Sequence, residues 1–223
     1  LVVSLKSGWS EANVDPYWIE GASESLLRHL AQIDLSDEIT LSLSEELSAK
    51  ELKKTLKFYQ SKAGREVVAW RTGEVSPEEI AERFARLAGV EEIKHKRAFY
   101  FRKIFREMDW VSSGMRRYLM SSYLQHYLEA LTASREPLSF PEYKDEWDDD
   151  AALHGVVFGF LMLGMIAVEH YETPDKNLNV YTKFLSKKHS KKFFDVVNRF
   201  EVLRFRQAMN RTFRDIQKAV PNV

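Results

Sequence analysis

The chain contains no cysteine, so disulfide bridges, thiolate metal ligands and cysteine nucleophiles are excluded. Nine glycines and six prolines among 223 residues are few, which disfavours a fold of many short strands joined by tight turns. Neither sign of charge is in excess, because 33 Lys and Arg balance 33 Asp and Glu. No global field therefore favours nucleic acid as the main partner.

Helix start signals recur along the chain instead. Asp15-Pro16 places a capping residue before a first-turn proline, and Ser48 and Glu51 have the spacing of a reciprocal capping box. Similar signals occur at Ser76-Pro77 and Thr173-Pro174, and apolar residues follow at helical spacing. The sequence predicts an all-α bundle of about eight to ten helices, forming a single domain over residues 1–223.

Two interruptions are expected between these helices. Ser112-Ser113-Gly114 predicts a bend, and the prolines Pro137 and Pro141 predict a loop over residues 135–150. After them, the chain is expected to end in a long helix from about Ser190 to Ala219.

The segment from Ala151 to Val168 has no formal charge and borders on membrane-spanning length. Acidic residues flank it on both sides, with no nearby Lys or Arg to set an orientation in a bilayer. We expect it to be the buried central helix of a soluble bundle. Gly155 and Gly159, four residues apart, would let a neighbouring helix approach closely.

A shift of 126 residues indicates two related helical halves. The residues that it aligns with identical ones include Leu52 with Leu178, Lys57 with Lys183, Phe58 with Phe184, and Lys62 with Lys188. The duplicated helix pairs would span residues 48–73 and 174–200. The alternative is two amphipathic helix pairs that share only the ordinary helical period.

The most distinctive motif predicts a structural corner between two helices. Two aromatic residues end one helix, a serine can cap the next, and a glycine permits close backbone approach. Its positions are Glu51, Leu52, Phe58, Tyr59, Ser61, Gly64 and Arg65. This pattern resembles the bacterial domain of unknown function 2059 family, although Lys62 stands where that family often has Pro.

The resemblance implies an all-helical protein exported to the bacterial envelope, with a periplasmic location and no assigned catalytic residue. The first residue is Leu1 rather than Met, and a removed signal peptide is one explanation.

No catalytic, cofactor-binding or metal-binding motif emerges from the residues, so we expect no cofactor and favour a non-enzyme. One polar pair offers an alternative. Asp150 and His154, four residues apart, would share a helical face, and a carboxylate can orient an imidazole for proton transfer or metal binding. A small helical enzyme or metal protein is the alternative function; a capping Asp beside a core His is the structural one.

Local charge suggests where a partner could bind. Four lysines at a predicted corner form a candidate surface for an anionic partner: Lys187, Lys188, Lys191 and Lys192. An earlier stretch also mixes basic and aromatic residues, a composition typical of single-stranded nucleic acid sites. Its residues Phe101, Ile104 and Met108 are better explained as an apolar core stripe, so a nucleic acid partner is disfavoured. The favoured function is a soluble binding or interaction module of the envelope, with a protein or peptide partner ahead of an anionic membrane surface.

Overall fold

A computed structural model describes residues 14–68, 95–108 and 110–220. In this part of the chain there are ten helices and no strand, which confirms the predicted all-α fold class. The start signal at Ser76-Pro77 lies outside the described residues. The helices are α1 (Pro16–Gln32), α2 (Ser36–Glu46), α3 (Ala49–Gln60), α4 (Lys62–Val68), α5 (His95–Glu107), α6 (Trp110–Thr132), α7 (Phe140–Asp149), α8 (Ala151–Glu169), α9 (Asp175–Leu185) and α10 (Lys188–Ala219).

The chain divides into two compact units. The first unit comprises residues 1–35, 113–154 and 199–223, and the second comprises residues 36–112 and 155–198. Helix α1 belongs to the first unit, whereas α2 to α5 and α9 belong to the second. The sequence-based assignment of a single domain stays a prediction.

The second unit is built around one apolar cluster. Helix α9 packs against α4 and α5, and α4 packs on α3. The buried side chains come from five helices and from Met108, which directly follows α5: Val67 of α4; Tyr100, Phe101 and Ile104 of α5; Ile166 and Ala167 of α8; Leu178, Tyr181, Phe184 and Leu185 of α9; and Phe194 of α10. The expected core stripe on α5 is confirmed.

The first unit joins α1, α6, α7 and the C-terminal half of α10. Buried side chains include Leu26 of α1, Leu128 of α6 and Met209 of α10. The ring of Phe213 lies 5.1 Å from that of Tyr123, which links α10 to α6. The Arg204 guanidinium donates hydrogen bonds to the Leu30 carbonyl, which links α10 to the end of α1.

Both predicted interruptions are wrong in detail. Helix α6 runs without a break through residues 112–114. Most of the predicted loop is helix α7, which begins with a capping box: the Ser139 backbone N–H donates to Glu142 at 2.9 Å, and Pro141 occupies the first turn. Proline is compatible with this position because the first N–H groups of a helix have no partner within the helix. The Ser139 and Glu142 spacing was the overlooked signal.

The prediction that α8 is the buried centre of the fold is also wrong. Only 24% of the apolar window of α8 is buried. Ile166, Ala167 and Val168 near its end are buried, whereas Val156, Val157 and Phe160 are exposed. A Cβ atom built at Gly155 or Gly159 would meet nothing within 4 Å, so none of the helices in the described part of the chain packs closely there. By length and composition α8 could cross a membrane, which is weak evidence because core helices of soluble proteins can do so too.

Candidate functional site

The corner between α3 and α4 shows why its motif has this composition. Ser48 and Glu51 form the predicted capping box, with the Ser48 backbone N–H donating to Glu51 at 2.9 Å. At the other end of α3, the Ser61 hydroxyl donates to the Phe58 carbonyl at 2.6 Å and accepts from the Gly64 N–H at 3.1 Å. One serine thus satisfies backbone groups on both sides of the corner.

Gly64 is required at this corner for steric reasons. A Cβ atom there would lie 2.7 Å from the Tyr59 Cα atom and 2.8 Å from the Phe58 carbonyl carbon. Real Cβ atoms essentially never approach other atoms below 3.0 Å, and backbone atoms cannot swing aside. Leu52 and Arg65, two further motif residues, are less enclosed: Leu52 is half-buried and Arg65 is exposed.

The aromatic residues of the motif form a stacked layer with α9. The rings of Phe58 and Phe184 lie 3.8 Å apart and within 5° of parallel. Tyr59 meets Phe184 edge-on at 5.6 Å and approaches Phe193 of α10 at 5.9 Å. These rings bring the end of α3 beside the end of α9, although the two are far apart in sequence.

That contact places lysines from two segments on the second unit's surface. Six of this unit's exposed lysines are called the lysine face: Lys53, Lys54 and Lys57 of α3, Lys183 of α9, and Lys187 and Lys188 at the α9–α10 corner. Within the described residues none of the six forms an ion pair. The sequence identified only the corner lysines, and the lysine spacing along amphipathic α3 was the signal for the others.

His189 links the two segments electrostatically. Its ring meets Phe184 edge-on at 5.9 Å. Burial lowers the pKa of His189, and the positive charges of Lys54 and Lys187 lower this pKa further, whereas the negative charge of Glu51 raises it. Lys54 of α3 and Lys187 at the α9–α10 corner therefore act on the same imidazole, so the two segments contribute to one electrostatic field.

Two of the four lysines predicted as an anionic-partner surface instead form ion pairs within the protein. The Lys191 ammonium lies 3.0 Å from a Glu107 carboxylate oxygen, and its hydrogen bond is the main reason that the pKa of Glu107 is lowered. Lys192 lies 3.5 Å from Glu51 and donates to the Glu46 carbonyl at 3.2 Å. These contacts fasten the start of α10 to α5 and α3. Lys187 and Lys188 stay exposed.

The alternative polar pair is not assembled as a reactive site. The Asp150 carboxylate is exposed, and its backbone carbonyl accepts the first hydrogen bond of α8 from the His154 N–H at 3.0 Å. The His154 ring stacks on Trp147, with centroids 3.5 Å apart and planes within 3°. In the described part of the chain, no hydrogen bond or ion pair joins the two side chains. Nor do the described residues contain a group of three or more His, Asp or Glu side chains that could hold a metal ion.

Sequence reasoning missed a polar cluster in the first unit. Three side chains of α1 converge on the Oδ2 atom of Asp215 in α10: the Ser25 hydroxyl at 2.7 Å, the Arg28 guanidinium at 2.6 Å and the His29 Nε2 atom at 2.8 Å. The hydrogen bond from Ser25, followed by that from His29, lowers the pKa of Asp215 to about 2. These residues are nearly 190 positions apart in sequence, so no local spacing could have predicted the cluster.

With this geometry established, comparison with known proteins adds no further constraint. Protein-family models, curated proteins and solved structures give no match to this chain. The resemblance to the domain of unknown function 2059 family therefore stays a prediction, carried by the corner residues alone.

Proposed function

We propose that this chain is a non-enzymatic binding module that docks on an anionic membrane surface through the lysine face. The observation that carries the proposal is the stacking of Phe58 on Phe184 at 3.8 Å, which brings the lysine-bearing ends of α3 and α9 side by side. Cations from two distant segments are thus concentrated on one surface of the second unit. Such a surface attracts anions more strongly than scattered lysines do.

The lysine face has charge available for a partner. The nearby carboxylate of Glu51 is already bound by Ser48 and Lys192, and the hydrogen bonds from Ser48 are the main reason for its lowered pKa. The lysines of the face are exposed and carry no ion pair of their own within the described residues. Each Lys held near an anionic membrane contributes about 1 kcal/mol to binding.

Exposed apolar side chains among the lysines favour a bilayer over a soluble polyanion. Leu56 is 56% exposed and lies three residues from Lys53, so the two side chains are neighbours on α3. Val180 is 44% exposed and stands in the same relation to Lys183 on α9. Apolar groups can enter the boundary between headgroups and acyl chains while lysines reach the headgroups.

An envelope location is part of the same proposal. Its support is the resemblance of the corner residues to an exported family. The enzyme alternative is not favoured, because the carboxylate of Asp150 and the imidazole of His154 are not brought together.

Vesicle sedimentation tests the docking proposal with the full chain. We expect binding to vesicles of phosphatidylcholine mixed with phosphatidylglycerol, no binding to phosphatidylcholine alone, and weaker binding as salt is raised. The triple variant Lys53→Gln, Lys54→Gln, Lys57→Gln should bind about 100-fold more weakly, from three losses of about 1 kcal/mol.

A matched triple variant separates the lysine face from net charge. Arg206, Arg211 and Arg214 are exposed on the part of α10 that lies in the first unit. Changing all three to Gln removes the same charge and should leave vesicle binding within about threefold, since these residues lie outside the face. Equal losses from both triples would overturn the proposal. So would binding to soluble polyphosphate that is as strong as vesicle binding and unaffected by Leu56→Gln.

A further inference from the structure

A cleft in the first unit lies between α1 and the C-terminal end of α10. Its volume is about 410 Å³, within the range of small-molecule sites. The residues around it include Tyr17, Trp18, Glu20, Gly21 and Glu24 on α1. Arg28 and Asp215 lie at its polar end, where they form the ion pair described above.

Gly21 is the first sign that this space has a use. It lies inside α1, where glycine destabilises a helix by about 0.5–1 kcal/mol relative to alanine. Packing among the described residues does not require it, because a Cβ atom at this position would meet none of their atoms within 4 Å. The missing side chain instead leaves a notch in the helix surface, and the cleft lies over that notch.

The charges around the cleft favour a cation. Glu20 and Glu24, one turn apart on α1, are exposed and form no ion pair within the described residues. Arg28 and Asp215 neutralise each other at 2.6 Å. The cleft therefore presents two carboxylates that form no ion pair within the described residues, whereas its basic lining residue, Arg28, is bound by Asp215.

An aromatic pair supplies the apolar part of the site. Tyr17 is 66% exposed and meets Trp18 edge-on, with ring centroids 5.1 Å apart. Aromatic faces attract ammonium groups and also contact apolar ligand bodies. From the notch, the carboxylates and the rings together, we infer that this cleft binds small organic ammonium ions that carry an apolar group. The inference uses only first-unit residues and is independent of membrane docking.

Titration calorimetry with three phenyl-containing probes tests the charge selectivity. Phenethylamine should bind the full chain at least tenfold more tightly than neutral phenethyl alcohol, and phenylacetate should not bind. The double variant Glu20→Gln, Glu24→Gln should weaken phenethylamine binding about tenfold. The double variant Asp145→Asn, Glu146→Gln is the control: it removes two exposed carboxylates of α7 and should change nothing.

Substitutions at Gly21 test the location. Gly21→Leu should fill the notch and abolish binding, and it should still fold, because leucine is a better helix former than glycine and meets open space. A thermal melt monitored by circular dichroism verifies folding. Three results would overturn the inference: no binding of phenethylamine, equally tight binding of phenylacetate, or unchanged phenethylamine affinity in a folded Gly21→Leu variant.

Discussion

At the scale of single residues, two glycines within helices differ in how much space surrounds them. At Gly64 the space for a Cβ atom is occupied by the backbone of Phe58 and Tyr59, whereas at Gly21 that space is open. The sequence indicates Gly64 through the corner motif, but helical pattern alone cannot distinguish the two positions. The difference arises from the corner at Ser61, which brings α4 into contact with α3.

This contrast predicts opposite effects of the same substitution. Gly64→Ala should lower the free energy of unfolding by at least about 2 kcal/mol, because backbone atoms must move to admit the methyl group. Gly21→Ala should raise it by about 0.5–1 kcal/mol by restricting the unfolded chain and improving helix propensity. Urea unfolding of both variants measures the difference. Similar free energies of unfolding for the two variants would show that the backbone of Phe58 and Tyr59 leaves room for a Cβ atom at Gly64.

The carboxylate of Asp215 makes a second prediction at this scale, concerning pH. Its pKa is lowered to about 2 from an ordinary value of 3.8, so its contribution to stability is present above about pH 4 and is lost as pH falls toward 2. We expect about 1 kcal/mol, reduced from the full linkage value because the side chain is 33% exposed.

The variant Asp215→Asn should accordingly be less stable than the original chain at neutral pH. The difference between the two should shrink as pH falls from 4 to 2 in urea unfolding series. Asp149→Asn serves as the control, since Asp149 is exposed and unpaired among the described residues, and it should show no such convergence. A pH-independent difference at Asp215 would contradict the assigned role of its charge.

At the scale of elements, local sequence signals predict where a helix starts better than they predict whether it continues without a break. The capping boxes at Ser48 and Ser139 are both present in the structure, although only the first was identified from the sequence. Ser113 and Gly114 suggested a bend, yet α6 continues through them. Propensities of about 1 kcal/mol per residue cannot interrupt a helix that tertiary packing stabilises along its length.

Helix α8 provides the prediction at this scale. Phe160 is 73% exposed and Ile166 is fully buried on the same helix. Phe160→Gln should therefore change the free energy of unfolding by less than about 0.5 kcal/mol, whereas Ile166→Gln should lower it by more than about 2 kcal/mol. Chemical unfolding of both variants is the measurement. A comparable loss at Phe160 would mean that another part of the protein covers it.

The duplication hypothesis also belongs to this scale. The aligned residues Phe58 and Phe184 stack directly on each other, which is what a two-fold relation between the α3–α4 and α9–α10 pairs would produce. Yet the corners differ in detail, since Gly64 aligns with Ser190. The duplication stays a hypothesis, with this contact as its structural support.

At the scale of the whole molecule, the candidate sites were predictable only in part. Lys187 and Lys188 were identified because a charge run at a helix corner is visible locally. Lys191 and Lys192 form the same run, but their ion pairs with Glu107 and Glu51 depend on long-range packing. The cleft beside Gly21 was not predictable at all, because its two walls come from opposite ends of the sequence.

What the sequence determined by itself was therefore the set of local structures: the all-α class, the capped helix starts and the corner at Ser61. Caps and periodic apolar faces act between residues three or four positions apart, so their physics is contained in short segments. Tertiary structure alone decided which lysines share a face, which glycine is indispensable and how little of α8 is buried. Each of these depends on atoms brought together from distant segments, where charge, space and exposure to water are set by packing.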